Sequence, residues 1–140
     1  MAERYYLDTS IWLDFFEERD EPHFPKTTLA QKLLSKIVTN DERIVVSDAV
    51  LVELGSAGYS SEEIDRLFRP LRSVLILVEA SARQLGKAKD LAKKRSVPKG
   101  DALHALIARD EKAILVTCDR DFQKLLDITK PKTPRELIAS

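Results

Sequence analysis

The nine residues "ILVTCDRDF", Ile114 to Phe122, decide how the rest of the chain is read. An apolar run short enough to be a buried strand ends at Thr117, and two aspartates, Asp119 and Asp121, follow at once. A carboxylate placed just beyond a core strand has two physical uses. It caps the next helix by accepting hydrogen bonds from the free N–H groups of the first turn, or it joins other acids around a bound cation. The rest of the chain has to separate the two.

Working outward, short apolar runs alternate with segments of helical periodicity. "RYYLD" (Arg4 to Asp8), "RIVVSD" (Arg43 to Asp48), "SVLILVE" (Ser73 to Glu79) and "AILVT" (Ala113 to Thr117) read as strands. Between them, "TSIWLDFFEE" and "TTLAQKLLSKIV" carry apolar residues at helical spacing, with "RDEPHFPK" as a two-proline loop. "AVLVELGSA" is a helix that Ser47 or Asp48 can cap, and "SSEEIDRLFRPL" opens with Ser60 and Glu63 in capping-box spacing. A long helix is predicted from about Ala80 to Arg95, then "VPKG", then "DALHALIARDE". A short helix over "RDFQKLL" and a last turn in "PKTPREL" close the pattern. Strands alternating with helices predict a parallel sheet with helices on both faces. In such sheets ligands bind beyond the carboxyl ends of the strands. Asp8 and Asp119 fall at that edge.

The composition bounds the possibilities. At 140 residues the chain suits one domain with a real core. Its 23 basic and 23 acidic side chains cancel, which argues against a protein that coats nucleic acid by bulk charge. The single cysteine, Cys118, excludes an internal disulfide and a cysteine-built metal site. No apolar run is long enough to span a bilayer and no signal-peptide pattern opens the chain, so a cytoplasmic protein is expected.

Four acids stand out: Asp8, Glu53, Asp101 and Asp119. Asp8, Asp101 and Asp119 each have a bland alternative as helix caps, and Asp121 sits where a helix dipole favours an acid. Glu53 is harder to explain that way. It lies mid-helix among Val50, Leu51, Val52 and Leu54, and a helix apolar on nearly every side is buried. A buried carboxylate has to be paired, protonated or bound to a cation; the alternative to a metal is an ion pair with a lysine or arginine. Asp101 shares a helix face with His104, Ala105 and Ala108, and His104 is expected to be partly buried and hydrogen-bonded rather than to touch substrate. Clustered carboxylates resist joint ionisation, which a divalent cation relieves. Oxygen-only ligands suit Mg²⁺ or Mn²⁺, and the implied chemistry is metal-assisted phosphodiester hydrolysis. Ser10 and Thr117 are placed to orient ligands or waters.

Taken together, "YLDTS", "VSDAVLVELGSA", "KGDALHALIA" and "LVTCDRDF" resemble, in order and spacing, the PIN domain, and most closely the small single-domain ribonucleases that act as VapC-type toxins. The resemblance covers nearly the whole chain. It implies one nuclease domain over residues 1–140, an α/β/α sandwich around a mostly parallel sheet, and cleavage of RNA dependent on Mg²⁺ or Mn²⁺. The family's acidic quartet falls on Asp8, Glu53, Asp101 and Asp119, with Asp121 as a further direct or water-mediated ligand, and Ser10 and Thr117 match its supporting hydroxyls. It also implies a homodimer and an antitoxin whose C-terminal segment blocks the site, with "IWLDFF" and the "LSKIV" helix as its groove or else as plain core. Arg66, Arg69 and Arg72 serve equally as RNA contacts or as a solvated face. The alternatives are a PIN nuclease that processes RNA without an antitoxin, and a non-catalytic RNA-binding or scaffold module, which the complete acidic set disfavours. A phosphoacceptor domain would want paired acids at the first strand, and an aspartyl phosphatase a second acid where Ser10 stands.

Overall fold

A computed structural model describes residues 3–139. Four of its strands are those anticipated above: β1 (Arg4–Leu7), β4 (Arg43–Ser47), β5 (Leu75–Val78) and β6 (Ile114–Val116). They form one sheet in the order β5-β4-β1-β6, and each of its pairings is parallel. Helices cover both faces, giving the three-layer α/β/α sandwich. They are α1 (Thr9–Phe16), α2 (Lys26–Thr39), α3 (Asp48–Ser56), α4 (Ser61–Phe68), α5 (Ala82–Arg95), α6 (Lys99–Asp110) and α7 (Pro134–Ala139). α5 packs on α6, while α2 packs between α1 and α7. No helix among the described residues is long and apolar enough to cross a membrane.

Capping chemistry sets the boundaries. Ser47 caps α3 by accepting from the Val50 N–H, and Ser60 and Glu63 close the anticipated capping box on α4. Ser81 and Gln84 form a second box, so the long helix begins at Ala82 rather than Ala80. Three readings are corrected. "RDEPHFPK" is not plain loop: Asp20–Glu21 (β2) and Phe24–Pro25 (β3) pair as a small antiparallel hairpin. "RDFQKLL" is a 3₁₀ turn over Arg120–Leu125 rather than an α-helix. The third strand is shorter than its apolar run, because Ser73 and Val74 finish a 3₁₀ turn that begins at Arg69.

The two ends of the sheet differ. Beyond β6 the chain returns at Lys132, whose N–H donates to the Leu115 carbonyl at 2.8 Å and whose carbonyl accepts from Thr117 N–H at 3.0 Å. That segment covers the β6 edge. β5 is the outer strand on the other side, and Leu77 there is 70% exposed. An edge position, not a lapse in apolar patterning, explains this exposed leucine.

The core also decides whether α1 and α2 offer a groove. Ile11, Trp12, Leu33, Leu34 and Ile37 are buried, and Phe15 and Phe16 pack against the core beside Trp12, Phe68 and Tyr59. These segments are core. An apolar groove of about 500 Å³ lies instead between α3, α4 and β5, lined by Leu51, Tyr59, Ile64, Phe68, Leu75 and Leu77. Neighbours on α2 test this: Ile37→Ala should cost about 2–5 kcal/mol in denaturant unfolding, and Val38→Ala about 0.5 kcal/mol or less. Equal losses would mean that the helix faces the core differently.

Candidate active site

The strand order fixes where a site can form. From β1 the chain moves outward on one side through β4 and β5, then crosses back to place β6 on the other side of β1. The sheet therefore switches direction between β1 and β6, and parallel sheets bind ligands at the carboxyl edge of such a switch. Asp8 leaves β1 and Asp119 leaves β6 at that place. Asp8, Thr9, Ser10, Glu53, Asp101, His104 and Asp119 line one cleft of about 290 Å³ there.

Asp8 is both a cap and part of the cleft. Its Oδ1 accepts from the Ile11 N–H at 3.1 Å, which caps α1, and from Ser10 Oγ at 2.6 Å. Thr117 Oγ1 donates to Oδ2. Only 4% of Asp8 is exposed, and burial raises its carboxyl above the usual range against the pull of those three hydrogen bonds. Thr117 Oγ1 also accepts from the Asp119 N–H at 3.0 Å, which ties the two strand ends together. Asp119 caps the following 3₁₀ turn by accepting from Asp121 N–H at 2.9 Å.

Asp101 stands in the first turn of α6. One carboxylate oxygen each from Asp101, Asp119 and Asp121 lies within 4.8 Å of the others. Asp101 Oδ2 is buried and has no hydrogen-bond partner among the described residues. Burial, then the charges of Asp119, Asp8 and Asp121, push the Asp101 carboxyl up to about 7, with His104 opposing. An orphaned, buried oxygen beside two further carboxylates is the setting an oxygen-seeking cation fits.

Glu53 reaches the same cleft from α3, but its surroundings differ from expectation. It is only half-buried, and Val52 beside it is 68% exposed. Its partner is neither lysine nor arginine: Oε1 accepts from Thr9 Oγ1 at 2.8 Å and meets His104 Nε2. Burial acts to raise the Glu53 carboxyl, and His104 and Thr9 outweigh it, holding the group below the usual range. His104 is 1% exposed and hydrogen-bonded, as its apolar helix face suggests. Sequence reasoning missed Thr9 and Tyr6, the second of which holds His104 Nδ1 at 2.6 Å; no spacing pattern marks either. Away from the cleft, Arg69 and Arg72 are engaged by Asp65 at 3.1 and 2.8 Å on an exposed face.

The profile of the PIN domain matches residues 5–126. The chain belongs to the PIN domain family. Solved structures share the fold. A chain of the VapBC2 complex from Rickettsia felis, bound to a DNA fragment from its promoter, superposes with a TM-score of 0.66 at 20% identity, covering 93% of this chain and 98% of the other. A chain of a toxin–antitoxin complex from Klebsiella pneumoniae gives 0.64 at 16% identity over 92% and 98%. PAE2754 from Pyrobaculum aerophilum gives 0.62 at 21% identity over 99% and 95%. At these identities the likeness shows a shared fold. No curated protein matches the chain.

The raised carboxyl of Asp101 sets a pH dependence for the metal-free protein. Its folded value of about 7 exceeds the ordinary 3.8, so the folded state holds that proton more tightly. The associated stability is complete below about pH 4 and is lost as pH rises through 7. Asp101→Asn should flatten this fall and stabilise the protein in EDTA at pH 8 by about 1 kcal/mol after discounting for solvent screening, read as a higher melting temperature. Parallel melting curves for the two proteins between pH 4 and 8 would contradict the assignment.

Proposed function

We propose that this PIN domain is a metal-dependent endoribonuclease acting as the toxin of a toxin–antitoxin pair. The observation that carries the nuclease reading is the orphaned Asp101 Oδ2, buried beside the Asp119 and Asp121 carboxylates at the switch point of the sheet. Asp101, Asp119 and Asp121 would hold the cation, with Asp8 and Glu53 completing an all-oxygen set from the same cleft. Such a set suits Mg²⁺ or Mn²⁺ over zinc, which favours nitrogen and sulfur. When bound, the ion supplies Lewis acidity toward a phosphodiester and a water nucleophile at neutral pH.

The chain's own residues have distinct parts in this reading. Ser10 and Thr117 keep Asp8 oriented through both of its oxygens. The Thr117 bond to Asp119 N–H fixes the start of the turn that carries Asp119 and Asp121. The cleft is partly open to solvent, so that a phosphate backbone can approach.

RNA as substrate and an antitoxin as partner are supported by the family pattern and by the likeness in fold to chains of toxin–antitoxin complexes. The apolar groove between α3, α4 and β5 is a surface suited to a partner's apolar segment. Exposed Leu77 on the open edge of β5, with exposed Val52 and Leu85 along a second groove between α3 and α5, supports a homodimer. An intracellular, cytoplasmic RNA target accords with both.

The test is cleavage of structured and single-stranded RNA with Mg²⁺ or Mn²⁺. Cutting should cease in EDTA and fall at least about 100-fold in Asp8→Asn and in Asp101→Asn, since a lost charge-stabilising group typically costs that much. Undiminished cutting by both variants would overturn the assignment.

A further inference from the structure

A line of buried polar groups runs through the core and ends on Glu53. Ser47 Oγ lies 2.6 Å from the Tyr6 hydroxyl, which lies 2.6 Å from His104 Nδ1, and His104 Nε2 meets Glu53 Oε1. Ser47, Tyr6 and His104 are each 1% exposed or less. Donor accounting gives the line a direction. The Val50 N–H donates to Ser47 Oγ at 3.3 Å. Ser47 can then donate to the Tyr6 oxygen, and Tyr6 to Nδ1. The imidazole hydrogen is left on Nε2, aimed at the carboxylate. Each buried hydroxyl and each ring nitrogen is satisfied in this arrangement.

The other oxygen of Glu53 meets a second device. A Cβ built at Gly100 would lie 3.0 Å from Glu53 Oε2. Gly100 is the second residue of α6, where the backbone conformation does not call for glycine and alanine is the better helix former. Oε1 is fixed by Thr9 and His104, so the carboxylate cannot swing away from an added methyl at no cost. Oε2 itself accepts no hydrogen bond among the described residues.

We infer that Tyr6, His104 and Gly100 are positioning residues: they fix Glu53 with Oε1 committed to the protein and Oε2 free as the oxygen offered to a cation. This rests on the metal-site reading above. Groups that orient a ligand carboxylate typically change metal affinity by about 10–100-fold. A bare Cα at Gly100 is what the Glu53 carboxylate needs in this position and what the helix alone would not select.

The experiment is calorimetric titration of Mn²⁺ into the folded protein, with melting temperatures in EDTA as the second readout. Gly100→Ala should bind Mn²⁺ about tenfold more weakly while melting at the same temperature or higher. Tyr6→Phe should weaken binding similarly. Gly86→Ala, where an added Cβ meets nothing within 4 Å, should bind like the parent protein. Unchanged affinity in both Gly100→Ala and Tyr6→Phe overturns the inference and leaves the metal site standing. A parent protein that binds no Mn²⁺, or binds it as well after Asp101→Asn, overturns the site reading and the inference with it.

Discussion

Asp101, Asp119 and Asp121 bring carboxylate oxygens within 4.8 Å of one another at the carboxyl edge of the sheet, and like charges that close repel. At an effective dielectric constant of about 20, a pair at that range costs about 3 kcal/mol. One hydrogen bond of about 1 kcal/mol, such as that from Asp121 N–H to Asp119, does not offset it. The fold relieves part of the strain by letting Asp101 keep a proton to about pH 7. A divalent cation would relieve the rest. Holding these acids together therefore costs the protein stability of its own.

The surrounding architecture answers to that constraint. The crossover that places β6 beside β1 brings two chain ends, each bearing an aspartate, to one switch point. Thr117 then ties those ends by bonding Asp8 with its hydroxyl hydrogen and Asp119 with its lone pair. α6 delivers Asp101 from its first turn, and α3 delivers Glu53 from its middle. Capping and a place in the cleft thus coincide: Asp8 and Asp119 satisfy helix and turn N–H groups with one oxygen each and keep the cleft acidic. The two readings first weighed for "ILVTCDRDF" turn out to be compatible.

What the sequence made legible follows from how local each signal is. Strands and helices announce themselves by periodicity and caps, so "RIVVSD" and the Ser60–Glu63 box could be read directly. The hairpin at Asp20–Pro25 could not, because four residues hold too little pattern. The acids were legible as a set through strand ends and family order. Their individual environments were not. Glu53 was expected to be enclosed, yet the outward face of α3 leaves Val52 exposed, and its partner is a histidine 51 residues away. Residues that meet only through the fold, Tyr6 with His104 or Thr9 with Glu53, leave no mark at any sequence spacing.

The most direct test of the central claim is a crystal structure of the protein grown with Mn²⁺, with the ion located by its anomalous scattering. The account predicts a peak at coordination distance from Asp101 Oδ2 and from the carboxylates of Asp119 or Asp121, with Asp8 and Glu53 facing it. A cleft without a peak at millimolar Mn²⁺, or an ion bound away from these acids, would contradict it.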